Sequence, residues 1–276
     1  MTSSRSASLT VPKNLLRPFW ITGAFALANV VLLTLQALSI LARLPTTRWI
    51  PVTYHRVACR LFGVHVRVSG KPAADRPLLI VANHVSWLDI PAIGGLLPVI
   101  FVAKQEIASL PVFGMIAKLG QSIFVDRQRK LQVDAVNRKM AQRLLEGDAV
   151  VLFAEGTSTN GEIVAPFYSA HIGAAEHAII MSNRTCESVC IQPLSIAYVG
   201  KNREVAAFYG NKELLSHMVE VLRSGPVDVK ITWGDPIMCC EQDDRKEIAR
   251  TLEGTVRQLR LGSTEGTAPS SLKVPA

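Results

Sequence analysis

The segment from Pro18 to Ala42 runs for 25 residues without a charge, and leucine, valine, isoleucine, phenylalanine and tryptophan fill much of it. As a helix rising ~1.5 Å per residue it is long enough to cross the ~30 Å hydrocarbon core of a bilayer. It is too long for the apolar core of a cleavable signal peptide, so the expectation is a permanent anchor within residues 1–50. Arg5, Lys13 and Arg17 precede the run, while Arg43, Arg48, Arg56 and Arg60 follow it. This slight excess places the main body on the cytoplasmic side of the inner membrane. Positive flanks at both ends also suit a helix, or helical hairpin, lying in the cytoplasmic leaflet without crossing it. A buried helix in a soluble domain is the remaining alternative, and few such helices go so far without a charge.

Composition points the same way, since 49% of the 276 residues are hydrophobic, high for a freely soluble protein. The formal net charge of +8 favours acidic partners: nucleic acid, anionic lipid or an acidic carrier protein. No nucleic-acid motif accompanies the charge, and the Lys and Arg residues are scattered, so nucleic acid is not expected. The five cysteines, Cys59, Cys186, Cys190, Cys239 and Cys240, form no C-x-x-C pair. Neither a disulfide framework nor a metal site is suggested, and buried thiols in a reducing, cytosol-facing compartment are the simpler reading.

After the anchor, strand and helix patterns alternate, which predicts an α/β domain over residues 51–262 with a mixed central sheet flanked by helices. Residues 64–68 alternate like an edge strand, 78–82 and 99–103 are short buried runs, and 122–126 and 149–153 continue the sheet. Val133, Val136, Met140 and Leu144 recur at helical spacing, with Gly147 as the stop. Further strands are expected at 190–197 and 227–233, with helices at about 212–222 and 243–261. The Ser, Thr, Gly and Pro-rich tail, 263–276, is expected to be disordered.

The strand at 78–82 opens directly into a polar loop carrying His84 and Asp89. A histidine can take a proton from an alcohol near neutral pH, and a nearby carboxylate fixes its tautomer and stabilises the imidazolium. Five positions apart, the two can sit at the strand end and in the first turn of the next helix, facing one pocket. The same residues also fit a capping box, with Ser86 and Asp89 satisfying backbone N–H groups at a helix start, and both roles can coexist.

Three further clusters follow buried strands, where α/β sheets gather their sites. Residues 120–127 end in Arg127, a guanidinium able to grip an anionic group. Residues 153–158 offer the acceptor Glu155, the hydroxyl of Thr157 and, at Gly156, a sharp turn or close backbone approach. Pro193, inside a strand pattern, marks an edge or bulge. Lys104, just past the strand at 99–103, is either an anion contact or a surface lysine. Singly, each cluster reads as turn chemistry.

In this order, the blocks Asn83-His84-x4-Asp89, the Gly120 to Arg127 segment, Phe153 to Ser158 and the proline block at Pro193 resemble the glycerolipid acyltransferase family, whose best-known members acylate lysophosphatidate. The resemblance spans residues 78–197. It implies a helical membrane-binding N-terminal part and an α/β catalytic domain. The activity it implies is transfer of an acyl chain from acyl-carrier protein or coenzyme A to a lysolipid hydroxyl, with neither cofactor nor metal. It further implies that His84 deprotonates the acceptor and Asp89 holds the imidazole. Arg127, Glu155, Gly156, Thr157 and Ser158 would bind or position the head group, and Pro193 would lie at the acyl pocket.

Two positions depart from the block as lysophosphatidate enzymes commonly carry it: Ala154 replaces a proline and Ser158 an arginine. A serine cannot give phosphate the bidentate charge of an arginine. The segments Phe101-Val-Ala-Lys-Gln-Glu, Leu110-Pro-Val-Phe-Gly and Glu155-Gly-Thr-Ser-Thr-Asn-Gly161 are more similar to the lyso-ornithine lipid acyltransferases, which esterify a hydroxy-fatty-acid amide of ornithine. Phosphatidate formation is the alternative. A lipid-binding scaffold on the same fold is another, against which the intact His84 and Asp89 argue.

Overall fold

The computed structural model describes residues 13–126, 133–264 and 272–273. Helix α1 (Lys13–Leu41) leads through a short 3-10 turn to α2 (Ile50–Phe62), which ends at Gly63 in the left-handed region. Strands β1 (Val64–Ser69) and β2 (Leu78–Ala82) follow, then α3 (Asp89–Gly94), β3 (Val99–Lys104), α4 (Pro111–Leu119) and β4 (Ile123–Val125). Next come α5 (Val133–Leu145), β5 (Ala149–Phe153), α6 (Ala174–Met181), β6 (Ser188–Val199), α7 (Arg203–Ala206) and α8 (Leu214–Ser224). The chain closes with β7 (Val227–Trp233), β8 (Ile237–Cys240), α9 (Arg245–Thr264) and β9 (Leu272–Lys273).

The strands form one mixed sheet in the order β4-β3-β5-β2-β6-β7-β1-β9, with β8 paired to β6. Strand β2 lies at its centre, parallel to β5 on one side and to β6 on the other. Its unbroken apolar run follows from burial on both faces. Leu78, Ile80 and Ala82 join the core that α2, α3 and α8 cover, while Leu79 and Val81 join the core under α5, α6 and α9. The C-terminal ends of β2, β3 and β5 meet at one edge of this three-layer stack.

Pro193 does not mark an edge. Strand β6 runs through the interior and exchanges partners there, pairing with β8 over Ser188–Ile191 and with β7 over Leu194–Val199. The proline falls at the exchange, where a missing N–H breaks no ladder. Of the tail expected to be disordered, Leu272–Lys273 pairs antiparallel with β1 at Arg67 and Val68, and α9 extends to Thr264. The other tail residues lie outside the described ones.

Helix α1 is inverted relative to a soluble helix. Its packed side carries Asn29, Gln36 and Ser39, all buried, whereas Trp20, Leu27, Val30 and Leu41 are 65–82% exposed. Most inward polar groups find partners: Tyr54 donates to Asn29 Oδ1, Gln36 donates to the carbonyls of Thr47 and Leu119, and Ser39 bonds Thr46 and Thr47, while Gln36 Oε1 has no partner among the described residues. The span Trp20–Leu41 is 22 residues long and reaches a mean hydropathy of 2.1 over an 18-residue window, long and apolar enough to cross a membrane. It also packs along α2 and touches α4 and α8.

Candidate active site

The site begins where β2 leaves the sheet. Asn83 is buried and its side-chain amide both donates to Ile196 O and accepts from Ile196 N, at 3.0 and 2.7 Å, fixing the exit point against β6. His84 follows at the sheet edge, and Asp89 opens α3. Their Nδ1 and Oδ2 atoms are 2.7 Å apart. Oδ2 also accepts the N–H groups of Val85 and Ser86, and Oδ1 accepts the Tyr198 hydroxyl at 2.7 Å. These four bonds satisfy a carboxylate that has no solvent exposure. Burial, and secondarily Asp89, hold the Tyr198 phenol well above its usual range, so it remains a donor. The capping and orienting roles read from the sequence therefore coincide in one side chain.

The imidazole of His84 stacks on Phe153, with centroids 4.1 Å apart, and Phe153 in turn stacks on Phe101. Its Nε2 atom makes no hydrogen bond among the described residues, and the side chain keeps 20% exposure. With Nδ1 directed at the carboxylate, Nε2 is left with its lone pair outward, the arrangement of a general base.

Glu155 has a different task from the one expected. It is 2% exposed, and its two oxygens accept His84 N at 2.7 Å and Ala165 N at 2.9 Å. Both oxygens are committed to the backbone, so the carboxylate clamps His84 in place and is not free for a head group. Burial lifts its pKa to about 6, against these two hydrogen bonds, which pull it down. Thr159 N donates to His84 O at 3.0 Å, pinning the same residue from the other side. The loop after β5 is itself held by α9: Glu253 accepts Phe167 N, Arg257 donates to Val164 O, and Arg260 donates to Gly161 O.

Residues 65–197 match the family model described as Acyltransferase. The chain is 38% identical over 252 residues to the lyso-ornithine lipid O-acyltransferase of Brucella abortus, covering 88% of this chain and 94% of that one. It is also 38% identical over 192 residues to the 1-acyl-sn-glycerol-3-phosphate acyltransferase of Neisseria gonorrhoeae, covering 68% of this chain and 72% of the relative. The chain belongs to this acyltransferase family. The acyltransferase also matches the crystal structure of the 1-acyl-sn-glycerophosphate acyltransferase from Thermotoga maritima, with TM-score 0.63 and 19% identity over 93% of this chain and all of that one. That likeness establishes a shared fold.

Other residues singled out in the acyltransferase sequence fall in three places. Gly156 and Thr157 line a cavity of about 680 Å³ together with Asp126, Phe153, Tyr168 and Arg245. Gly156 has φ +70°, and a Cβ there would meet the Tyr168 ring at 3.0 Å, so both backbone and space require glycine. Ser158 is half-buried in the same loop, and Lys104 is exposed at the end of β3; neither lines the cavity. Pro193 packs on Gly234, which α9 covers with Thr255 and Leu259, away from the His84 ring. Arg127 lies outside the described residues.

Tyr198 escaped the sequence reading. Tyr198 had a signal, since Leu194, Ile196 and Tyr198 alternate on one face of β6 and join the core beside His84. Among the described residues no group of three His, Cys, Asp or Glu side chains is placed to hold a metal ion.

Proposed function

We propose that this acyltransferase moves a fatty acyl chain from an acyl-carrier-protein or coenzyme A thioester to the hydroxyl of lyso-ornithine lipid, with His84 as general base and Asp89 as its partner. The observation that carries the mechanism is the 2.7 Å contact between His84 Nδ1 and Asp89 Oδ2 with Nε2 left unpartnered. Nε2 takes the proton of the acceptor hydroxyl as its oxygen attacks the thioester carbonyl. The tetrahedral oxyanion then collapses, the C–S bond breaks, and the departing thiolate takes the proton back from the imidazolium. The backbone amides of Thr157 and Ser158 make no hydrogen bond among the described residues and are available to the oxyanion or the head group.

The ornithine acceptor is supported by the near full-length match to the Brucella enzyme and by Ser158, which removes a cation suited to phosphate. The equal identity of the Neisseria relative over a shorter span keeps lysophosphatidate as a second reading. Membrane attachment is supported by the apolar outer face of α1. Because α1 packs along α2 and touches α4 and α8, a lone perpendicular crossing would carry those helices into the hydrocarbon. We place α1 within the cytoplasmic leaflet, with the catalytic edge beside it.

The test is a competition assay in mixed micelles, with acyl-carrier-protein thioester and equal amounts of lyso-ornithine lipid and lysophosphatidate. Faster formation of ornithine lipid is expected. Preference for lysophosphatidate would overturn the acceptor assignment in favour of phosphatidate synthesis.

A further inference from the structure

We infer that His217 is a positioning residue for acyl transfer, holding Trp87 and through it the loop that joins His84 to Asp89, an inference resting on the general-base reading above. Four residues, 85–88, separate the pair, and the N–H groups of Val85 and Ser86 reach Asp89 Oδ2. The next residue, Trp87, is tied outside the loop. Its Nε1 donates to His217 Nδ1 at 3.0 Å, and its ring packs at 76° against Phe62 with centroids 5.0 Å apart.

His217 lies on α8, 130 positions along the chain from Trp87, and is 2% exposed. An indole N–H can only donate, and the Val205 carbonyl, 2.8 Å from His217 Nε2, can only accept. One neutral tautomer serves both: Nε2 carries the proton and Nδ1 the lone pair. Burial holds the His217 pKa below its usual value, against the Val205 bond; Lys212 adds to the lowering and Glu220 opposes it. The form that accepts from Trp87 is therefore the one present where His84 works as a base. The same stretch holds the loop a second time. Phe208 N donates to Val85 O at 2.9 Å, and the Phe208 ring packs on His217 with centroids 5.1 Å apart. These two ties fall on either side of Ser86. His217 acts at one remove, since it makes no hydrogen bond to His84 or Asp89. Without the Trp87 tie the Val85 and Ser86 amides drift from Asp89, and its 2.7 Å contact with His84 Nδ1 lengthens. A displacement of 1 Å can cost ~10²-fold in rate, so one of half that size costs about tenfold.

The experiment compares the full-length wild type with Trp87→Phe, His217→Leu, the double variant, and His217→Asn, whose amide oxygen stands near the Nδ1 position. Trp87→Phe and His217→Leu should each lower kcat about tenfold, with KM for thioester and lysolipid little changed. The double variant should fall no further than the worse single one, because both remove the same bond. His217→Asn should recover most of the rate. The acid limb of the kcat profile should move to lower pH in the slowed variants, as the imidazolium stands farther from the Asp89 carboxylate. A role in stability alone would scale the profile by the folded fraction, which thermal unfolding measures, and leave its shape unchanged. Wild-type kcat in Trp87→Phe, a slowed variant with an unmoved acid limb, or additive losses in the double variant overturns the role of His217. Should His217→Leu fail to fold, Trp87→Phe and His217→Asn carry the decision. His84→Ala is assayed in parallel. If it is inactive while Trp87→Phe is unchanged, the positioning role alone falls; turnover by His84→Ala overturns the general-base reading and this inference with it.

Discussion

Tyr198 gives its hydroxyl to Asp89 Oδ1 at 2.7 Å, so the carboxylate paired with His84 is held from β6 as well as from its own helix start. Every donor on Asp89 shares the charge that would otherwise face the imidazole. Replacing Tyr198 with Phe removes one donor from a buried carboxylate, a loss of ~1–3 kcal/mol. We expect kcat to fall about tenfold with KM little changed. The acid limb of the kcat profile should move to higher pH, because a less solvated Asp89 stabilises the imidazolium more. A pH-rate series on the two proteins checks both signs.

His84→Ala should abolish acyl transfer while the protein remains folded, since the base is lost but the backbone bonds of residue 84 to Glu155 and Thr159 stay in place. Asp89→Asn should lower kcat by about 10³ or more, as the imidazole loses its orienting charge. Release of free thiol from the acyl donor, followed alongside circular dichroism, separates lost chemistry from lost structure. Near wild-type turnover by His84→Ala would falsify the general-base assignment.

Glu155 carries its carboxyl pKa raised from 4.5 to about 6 by burial. A raised acid contributes stability below the unfolded value that is lost as pH climbs through the folded one. The wild type should therefore lose roughly 2 kcal/mol relative to Glu155→Gln between about pH 4 and pH 7. Urea titrations of both proteins across that window measure it. The glutamine variant should nonetheless be poorly active at every pH, because one of its two terminal atoms is a donor facing a backbone N–H of His84 or Ala165.

The outer face of α1 predicts how attachment can be removed without touching the core. Leu27, Val31 and Leu38 are each about half exposed or more. Replacing all three with Glu should reduce binding to liposomes by about tenfold or more, since each apolar side chain withdrawn from water contributes ~1.5 kcal/mol or more. Flotation of the variant with vesicles, together with soluble-assay activity, tests it. Undiminished flotation would show that another surface holds the membrane.

The strands and the catalytic corner were legible in the sequence because their signals are local. A buried run such as 78–82 needs no partner to be recognised, and Asn83, His84 and Asp89 stand within seven consecutive residues. Helix α6 was not legible, because Ala174–Met181 is only eight residues long, with Glu176 and His177 adjacent as its polar positions, too little from which to read a period. Helix α2 did carry a signal at Tyr54, Ala58 and Phe62, obscured by its nearness to the anchor. The task of Glu155 was hidden for another reason. Its partners are main-chain N–H groups 71 and 10 positions away, and every residue but proline offers one.

The tether from α9 to the loop after β5 bears on how the enzyme is made. Glu253, Arg257 and Arg260 reach the loop that carries Glu155 and Thr157, yet all three lie beyond the segment that matches the family model. A ribosome will have finished every motif block well before it supplies these residues. The nascent chain can thus form its sheet and its His84–Asp89 pair while the loop after β5 is still unsupported. Acyl transfer would begin only at the end of synthesis, and a chain cut short before α9 would be silent with every motif intact.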